Sequence, residues 1–222
     1  MKLIFATGNS GKLREAREIL GPSGIEVVSP YDLGLSKKQV DIEETGKSFS
    51  ENAVLKAENI WRLTGLPCFA DDSGLAVDAL EGAPGIYSAR YASLDGSGED
   101  HNFASNIDKL LHNLGNNADR RARFVCSVAL ILPEEGNRAA EHFPRSSAPL
   151  PSAGVIKQFD GTCEGSIAME RAGCGGFGYD PVFIADAYPD RTLAEVAEDA
   201  KNAISHRGDA LRKMLGYLDS IA

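Results

Sequence analysis

Apolar residues recur along the chain with two spacings, which predict strands and helices in alternation. Short apolar runs bounded by polar turns predict strands over residues 2–6 and 25–28. Between them, apolar residues from Leu13 to Leu20 recur at helical spacing, and Gly21-Pro22 ends this first helix. The chain therefore opens with a strand, a Gly-rich turn, a helix and a second strand.

The clearest helix is predicted over residues 48–64. Ser48 and Glu51 fit a capping box, in which each side chain accepts from the other residue's backbone amide. An apolar stripe from Phe49 to Trp61 gives this helix one face for the core. A strand over residues 68–70 follows and is expected to end at Asp71-Asp72-Ser73-Gly74, before a further strand over residues 75–80.

The second half of the chain continues the alternation with one longer β section. Helical spacing predicts helices over residues 102–114 and 204–221, with a helix or helical turn over residues 192–203. A run rich in Val, Ile and Phe predicts a strand over residues 122–132, and residues 155–167 are expected to return as a hairpin. Proline and serine predict a loop over much of residues 134–153. The pattern indicates an α/β sheet with an appended lobe, in one domain over residues 1–222.

Composition and charge narrow the class of partner. A hydrophobic content of 43% and a charged content of 25% are ordinary for a globular protein, and no run approaches the ~20 apolar residues that span a bilayer. The amino terminus lacks the features of a signal peptide, so we expect a cytoplasmic location. A net charge of −9 argues against long nucleic acids as partners, but a small anion can still bind where lysines, arginines or a metal reverse the local potential.

Four cysteines lie far apart in the sequence. Their spacing fits neither a zinc knuckle nor a redox pair, so we expect reduced, buried thiols that pack as small apolar groups. They are Cys68, Cys126, Cys163 and Cys174.

The Gly-rich turn after the first strand is a candidate anion site. Backbone amides at the start of a helix attract anions, and Lys12 adds a full positive charge. The glycine spacing differs from that of a Walker A loop, and a tight turn with an exposed lysine is the alternative. The candidate residues are Thr7, Gly8, Asn9, Ser10, Gly11 and Lys12.

Two adjacent carboxylates, Asp71 and Asp72, form a candidate metal site. Carboxylates at the end of a buried strand are costly without a cation beside them, and on a strand they point to opposite faces. Mg²⁺ takes one or two carboxylates together with waters and substrate phosphates, and Glu43-Glu44 offers a second donor. A surface pair that caps a turn is the alternative.

Glycines flank two aromatic residues, Phe177 and Tyr179, near the carboxyl end. Such glycines allow a ligand to approach the backbone, and either ring offers a flat face for a base. Asp180 is a candidate acceptor for a purine N–H, and the alternative is that this segment is an aromatic turn that fills the core. Lys201 and Arg207 would provide positive charge, whereas His206 is either a reader of a base edge or an ordinary residue at a helix start.

Read in order, these motifs resemble the inosine/xanthosine triphosphate pyrophosphatase family over nearly the whole chain, and the likeness is weakest over residues 136–159. The matching segments include Gly82-Ala83-Pro84-Gly85-Ile86-Tyr87-Ser88-Ala89-Arg90 and Ser205-His206-Arg207-Gly208, besides the motifs above. The resemblance implies an elongated α/β fold, with a mixed sheet flanked by helices and two lobes around a central cleft. It also implies a homodimer, Mg²⁺ as cofactor, and hydrolysis of ITP, dITP and XTP to the monophosphate and pyrophosphate.

The same resemblance implies a role for each candidate residue. Thr7 to Lys12 would hold the triphosphate, and Glu43 and Asp72 would sit at the metal, with Asp72 or its neighbour Asp71 as proton acceptor. The remaining substrate contacts would come from Ser73, Phe177, Gly178, Tyr179, Asp180, Lys201, His206 and Arg207. A pyrophosphatase for other nucleotides and a nucleotide sensor without activity are the alternatives.

Overall fold

The structure, a computed structural model, describes residues 1–100, 102–134 and 154–221. The strands are β1 (Lys2–Phe5), β2 (Glu26–Val28), β3 (Cys68–Val77), β4 (Arg121–Leu132), β5 (Val155–Ile167) and β6 (Phe183–Ala185). The α-helices are α1 (Ser10–Leu20), α2 (Lys37–Val40), α3 (Phe49–Thr64), α4 (Phe103–Leu114), α5 (Glu198–Ile204) and α6 (His206–Ser220).

The six strands form one mixed sheet in the order β2-β1-β3-β4-β5-β6. β1 pairs in parallel with both β2 and β3, whereas β5 and β6 are antiparallel. Parallel neighbours require a crossover connection, and α1 and α3 supply the crossovers that lead from β1 to β2 and onward to β3. The predicted α/β class, with a mixed sheet flanked by helices, is confirmed.

The chain forms two compact units. The first contains Met1–Asp72, Ser127–Asp160 and Ala210–Ala222. Its core is built where the apolar stripe of α3 covers inward-facing residues of β1 and β3, such as Ala57 and Ile60 over Ile4 and Ala70. The predicted N-cap of α3 is present, because the Ser48 side chain accepts from the Glu51 amide at 3.1 Å.

The second unit contains Ser73–Cys126 and Gly161–Asp209. Its core joins the apolar face of α4 to the ends of β3, β4 and β5 that lie in this unit, with Leu75, Leu110, Phe124 and Ile167 among its buried residues. Arg120 ties the start of β4 to the end of β5, because its guanidinium donates to the carbonyls of Ile167 and Ala168 at 2.6 and 2.8 Å.

Several predicted elements need correction. The expected break at residues 71–74 is wrong, because β3 continues through Asp71 and Asp72. The capping box of α3 is only half formed, since the Glu51 carboxylate accepts from the Lys47 amide at 2.6 Å. The prediction of a helix or helical turn over residues 192–203 is confirmed, since this range contains a 3-10 turn at Leu193–Glu195 and all of α5 but its last residue. The predicted Pro- and Ser-rich loop lies outside the described residues, apart from residue 134.

The described residues also bear on the cysteines and on membrane insertion. Cys68, Cys126 and Cys163 are buried free thiols, as predicted, but Cys174 is exposed. Within the described ranges, no helix combines the length and apolar character that crossing a bilayer would need.

Candidate active site

The alternation of side chains along β3 places the two aspartates on different faces of the sheet. Phe69 stacks on Phe5 of β1 with ring centroids 4.4 Å apart, and Asp71 follows on that face. Ala70 packs in the core under α3, so Asp72, two residues later, points toward α3. The sequence prediction that the aspartates diverge is therefore confirmed.

Asp71 pairs with the lysine of the first loop. Lys12 Nζ lies 3.0 Å from Asp71 Oδ1, and the Asp71 side chain is only 1% exposed. Two side-chain bonds shape the loop, since Thr7 Oγ1 accepts from the Asn9 amide and Asn9 Oδ1 accepts from the Lys12 amide, both at 3.1 Å. Asn9 is thus the N-cap of α1, which begins at Ser10 within the segment expected to be a turn.

The start of α1 has the properties of an anion site. The amides of Ser10 and Gly11 have no hydrogen-bond acceptor among residues 1–100, 102–134 and 154–221. Unpaired amides at a helix start carry partial positive charge and suit phosphate oxygens. Gly8, which is exposed, lies under the Tyr31 hydroxyl, so a Cβ at this position would come within 3.1 Å of that oxygen.

Asp72 is held by two residues of α3. Lys56 Nζ lies 2.8 Å from Asp72 Oδ1, and Asn52 Nδ2 donates to Asp72 Oδ2 at 3.2 Å. Lys56 also lies 3.0 Å from Glu44 Oε1, so one ammonium joins two carboxylates. Asn52 and Lys56 are one helical turn apart, which explains why both reach the same carboxylate.

A tight turn brings Glu44 to this cluster. The Gly46 amide donates to Asn52 Oδ1 at 2.8 Å, so Asn52 links the turn to Asp72. A Cβ on Gly46 would lie 2.5 Å from Asn52 Oδ1 and 2.9 Å from its backbone nitrogen. Glycine is therefore required where the Glu44 turn meets α3.

Burial and charge shift the pKa values of the cluster. Burial raises the pKa of Asp72 above its usual value, although Lys56 and Lys12 lower it, and Glu44 raises it further. Burial lowers the pKa of Lys56, but the charges of Asp72, Glu44 and Asp71 outweigh burial and leave this pKa raised. Lys56 is therefore a full positive charge at neutral pH.

The donor set of this cluster fits a hard divalent cation. Two carboxylates already converge on one cationic group, and Mg²⁺ commonly takes one or two carboxylates while waters and phosphates complete its shell. The described part of the chain contains no group of three or more metal-binding side chains. Glu44 is the carboxylate beside Asp72, whereas Glu43, named from the sequence, is exposed.

The second unit holds the aromatic segment. Asp180 Oδ2 accepts from the Phe177 amide at 2.7 Å and from Lys201 Nζ at 2.5 Å, and Lys201 lies 4.9 Å from the centre of the Phe177 ring. Gly176 permits this fold, because a Cβ there would lie 2.0 Å from Asp180 Oδ2. Asp180, expected to meet a purine N–H, thus binds its own loop and Lys201 with this oxygen.

Arg207 and His206 lie at the start of α6. Arg207 is 1% exposed, its Nη2 donates to Ser73 Oγ at 2.9 Å, and its Cζ lies 5.8 Å from the Phe177 ring centre. The His206 ring stacks on Phe124 with centroids 4.8 Å apart and an interplanar angle of 12°. Lys201 and Arg207 therefore lie over the Phe177 ring, and Arg207 also binds Ser73, whereas His206 packs against Phe124 of the core.

Tyr179 is placed differently from Phe177. Its side chain is buried, and its hydroxyl donates to the Ser88 carbonyl at 2.9 Å. Phe177 is half-buried and is the better candidate for a flat face toward a base. The surface alternatives for the aspartate pair and for an exposed Lys12 are both wrong, because Asp71, Asp72 and the Lys12 side chain are largely buried.

Sequence reasoning missed Lys56 and Asn52 as site residues. Both lie on the helix whose apolar stripe was recognised, four residues apart and beside that stripe. A lysine and an asparagine on the flank of a core helix do not by themselves indicate a site. They would have done so only if Asp72 had already been known to lie under that helix.

Comparison with known proteins identifies relatives along almost the entire chain. The sequence model of the Ham1 family matches residues 3–217. The dITP/XTP pyrophosphatase of Bacillus licheniformis is 43% identical over 220 residues, which is 98% of either chain. The dITP/XTP pyrophosphatase of Shigella flexneri is 45% identical over 219 residues, again 98% of either chain.

Solved structures show the same relationship in three dimensions. The Ham1 protein of Staphylococcus aureus superposes with a TM-score of 0.79 at 36% identity, with 100% of both chains covered. A HAM1 protein of Coxiella burnetii gives a TM-score of 0.76 at 38% identity, with 99% of both chains covered.

Proposed function

This chain belongs to the Ham1 family, and from that membership we propose that it hydrolyses ITP, dITP and XTP to the monophosphate and pyrophosphate. The relatives bear the name dITP/XTP pyrophosphatase, which gives dITP and XTP as their substrates and pyrophosphatase as their activity. The observation that carries the proposal is the convergence of Glu44 and Asp72 on one cationic group beside Lys12.

The first unit suits the phosphate part of the reaction. Lys12 and the amides of Ser10 and Gly11 would hold phosphate oxygens, and Lys56 would add a second positive charge. Glu44 and Asp72 would hold Mg²⁺, which when bound neutralises phosphate charge. Phosphoryl transfer depends mainly on such positioning and charge neutralisation.

The chemical step is the attack of water on the α-phosphorus. A new P–O bond forms to the water oxygen, the bond from the α-phosphorus to the bridging oxygen breaks, and pyrophosphate leaves. We assign Asp72 to orient this water and take its proton, because Asp71 is fully enclosed and already bonded to Lys12. The exposed Glu43 stays a prediction for the metal, with Glu44 favoured by its position.

The second unit suits recognition of a 6-oxo purine. Hypoxanthine and xanthine present an O6 acceptor and an N1–H donor, and adenine presents the reverse pattern. Lys201 and Arg207 lie over the Phe177 ring and bring only donors to this segment, so they favour O6 over a 6-amino group. Hydrogen-bonding sites of this kind discriminate by about 10⁴-fold or more.

A product assay tests the proposal directly. With Mg²⁺ and ITP, the protein should release inosine monophosphate and pyrophosphate, and both EDTA and omission of the metal should stop the reaction. Orthophosphate as the first product would mean that another bond is cut. If the protein shows no metal-stimulated turnover of deaminated nucleotides, the proposed activity is wrong, and the chain shares only its fold with the family.

Two alternatives are separated by the same assay. A panel of ITP, XTP, dUTP and ATP distinguishes a purine-specific enzyme from a pyrophosphatase for other nucleotides by relative turnover. A nucleotide sensor would bind ITP without releasing pyrophosphate, and the paired carboxylates at Lys56 disfavour that role. The homodimer and the cytoplasmic location stay predictions from the sequence.

A further inference from the structure

Tyr179 lies within the aromatic segment, and its hydroxyl belongs to a buried hydrogen-bond network. It donates to the Ser88 carbonyl at 2.9 Å, and the Tyr179 side chain is 3% exposed. Burial raises the pKa of Tyr179, and the nearby Tyr91 raises it further, so the phenol keeps its proton and remains a donor. This buried hydroxyl therefore serves as a donor to the Ser88 carbonyl.

Ser88 is the centre of the network. Its hydroxyl accepts from the Leu75 amide at 2.8 Å and donates to the Gly85 carbonyl at 2.6 Å. Leu75 follows Ser73 by two residues on β3, and Ser73 accepts from Arg207. The acceptor of the Tyr179 hydroxyl is therefore attached to the strand segment that holds Arg207.

Asn106 of α4 fixes this acceptor from the other side. It is completely buried, and its Nδ2 donates to the carbonyls of Ser88 and Ala89 at 3.3 and 3.0 Å. Its Oδ1 accepts from the Ala92 amide at 2.7 Å. A satisfied buried network of this kind holds its members in one arrangement, because each broken bond would leave a polar group unpaired.

We propose that Tyr179 is a positioning residue for base recognition, which acts through Ser88 and Asn106 to hold the Phe177 loop in register with Ser73 and Arg207. The inference rests on the proposed function, since it concerns the same base-binding segment. The loop has a second tie in Asp180, which fixes the Phe177 amide and Lys201. Tyr179 supplies a tie to β3 through Ser88, whose hydroxyl accepts from the Leu75 amide.

Tyr179→Phe removes this one bond and leaves the ring in the core. One hydrogen bond corresponds to about a two- to tenfold change in an equilibrium constant. We expect KM for ITP to rise by that factor with kcat nearly unchanged, and the preference for ITP over ATP to fall. The dissociation constant of inosine monophosphate, measured by calorimetry, should rise by a similar factor, while that of inorganic pyrophosphate should stay the same.

Tyr91→Phe is the matched control. Tyr91 is also buried in the second unit, but its hydroxyl accepts from Asn113 Nδ2 at 2.8 Å, whereas the Tyr179 hydroxyl donates to the Ser88 carbonyl. Both variants should lose similar thermal stability, but only Tyr179→Phe should change KM and the ITP-to-ATP preference. Equal effects of the two variants on KM, or no effect of Tyr179→Phe on inosine monophosphate binding, would overturn the inference.

Measurements on the wild-type enzyme distinguish failure of this inference from failure of the proposed function. If the wild type turns over ITP and Tyr179→Phe matches it in KM, preference and nucleotide affinity, only the positioning role is lost. If the wild type releases no pyrophosphate from ITP, the proposed function itself is wrong. The calorimetric comparison then still decides whether Tyr179 positions a nucleotide-binding segment.

Discussion

The carboxylate of Asp72 accepts hydrogen bonds from Asn52 and Lys56. The two partners depend on different properties of the carboxylate, its acceptor oxygen and its negative charge. Asn52 needs only an acceptor oxygen, whereas Lys56 and the proposed divalent cation both need negative charge. An amide in place of the carboxylate keeps one acceptor and nearly the same volume. The substitution Asp72→Asn therefore removes the charge and keeps most of the packing.

We expect Asp72→Asn to lower turnover of ITP by about 100-fold or more, because the cation binding and the proton transfer that we propose both need the carboxylate. The far-ultraviolet circular dichroism and the melting temperature should stay close to those of the wild type. Asp160→Asn is the control, since the Asp160 carboxylate accepts from Ser127 Oγ at 2.6 Å and does not belong to the group of Asp72, Lys56 and Glu44. Near-normal turnover in Asp72→Asn would remove Asp72 from the mechanism.

At the scale of the element, α3 carries the side chains that hold Asp72, so its first turn affects both stability and the site. The N-cap bond from the Glu51 amide to Ser48 Oγ satisfies one of the free amides at the helix start. Asn52 and Lys56 follow in the first and second turns of the same helix.

Ser48→Ala should lower the free energy of unfolding by about 1 kcal/mol, since the capping acceptor is lost. Urea denaturation measures this as a lower midpoint with an unchanged slope. Ser23→Ala, at an exposed serine of a short 3-10 turn, should leave the midpoint unchanged. A midpoint shift of the same size in both variants would show that the Ser48 hydroxyl does not cap α3.

The elements also show what the sequence allowed and what it did not. The apolar stripe of α3 and the capping serine were sufficient to place that helix within a residue at its start. β3 was cut short in the prediction, because two aspartates in a buried strand are costly without partners, and the partners are distant in the sequence. Lys12 lies 59 residues from Asp71, and Lys56 lies 16 from Asp72. Those lysines keep the strand continuous, and only the fold brings them there.

At the scale of the whole molecule, a chain of net charge −9 concentrates cations where phosphates and a 6-oxo edge would need them. Lys12 and Lys56 are both largely buried in the first unit, and Lys201 and Arg207 are buried in the second. Charged groups are almost never buried without a partner, and each of these contacts a carboxylate or a hydroxyl. The overall negative charge therefore describes the exposed surface and does not exclude an anionic substrate.

The free thiols give a test of the folded molecule as a whole, because they sample both cores. Cys68 belongs to the core of the first unit and Cys163 to that of the second, and Cys174 is the exposed thiol among the four. Burial raises the pKa of Cys68, and burial together with nearby acidic residues raises the pKa of Cys163 to about 11. At pH 8 both are therefore protonated as well as shielded, and neither reacts as a thiolate.

A disulfide reagent such as DTNB at pH 8 should accordingly modify one thiol rapidly in the native protein and all four in guanidinium chloride. Cys174→Ser should abolish the rapid phase and leave three thiols that react only after unfolding, because their exposure requires the cores to open. If any thiol of this variant still reacts at the rapid rate, one of the two cores opens readily under native conditions. Mass spectrometry of the labelled peptides identifies which cysteine it is, and hence which unit opens.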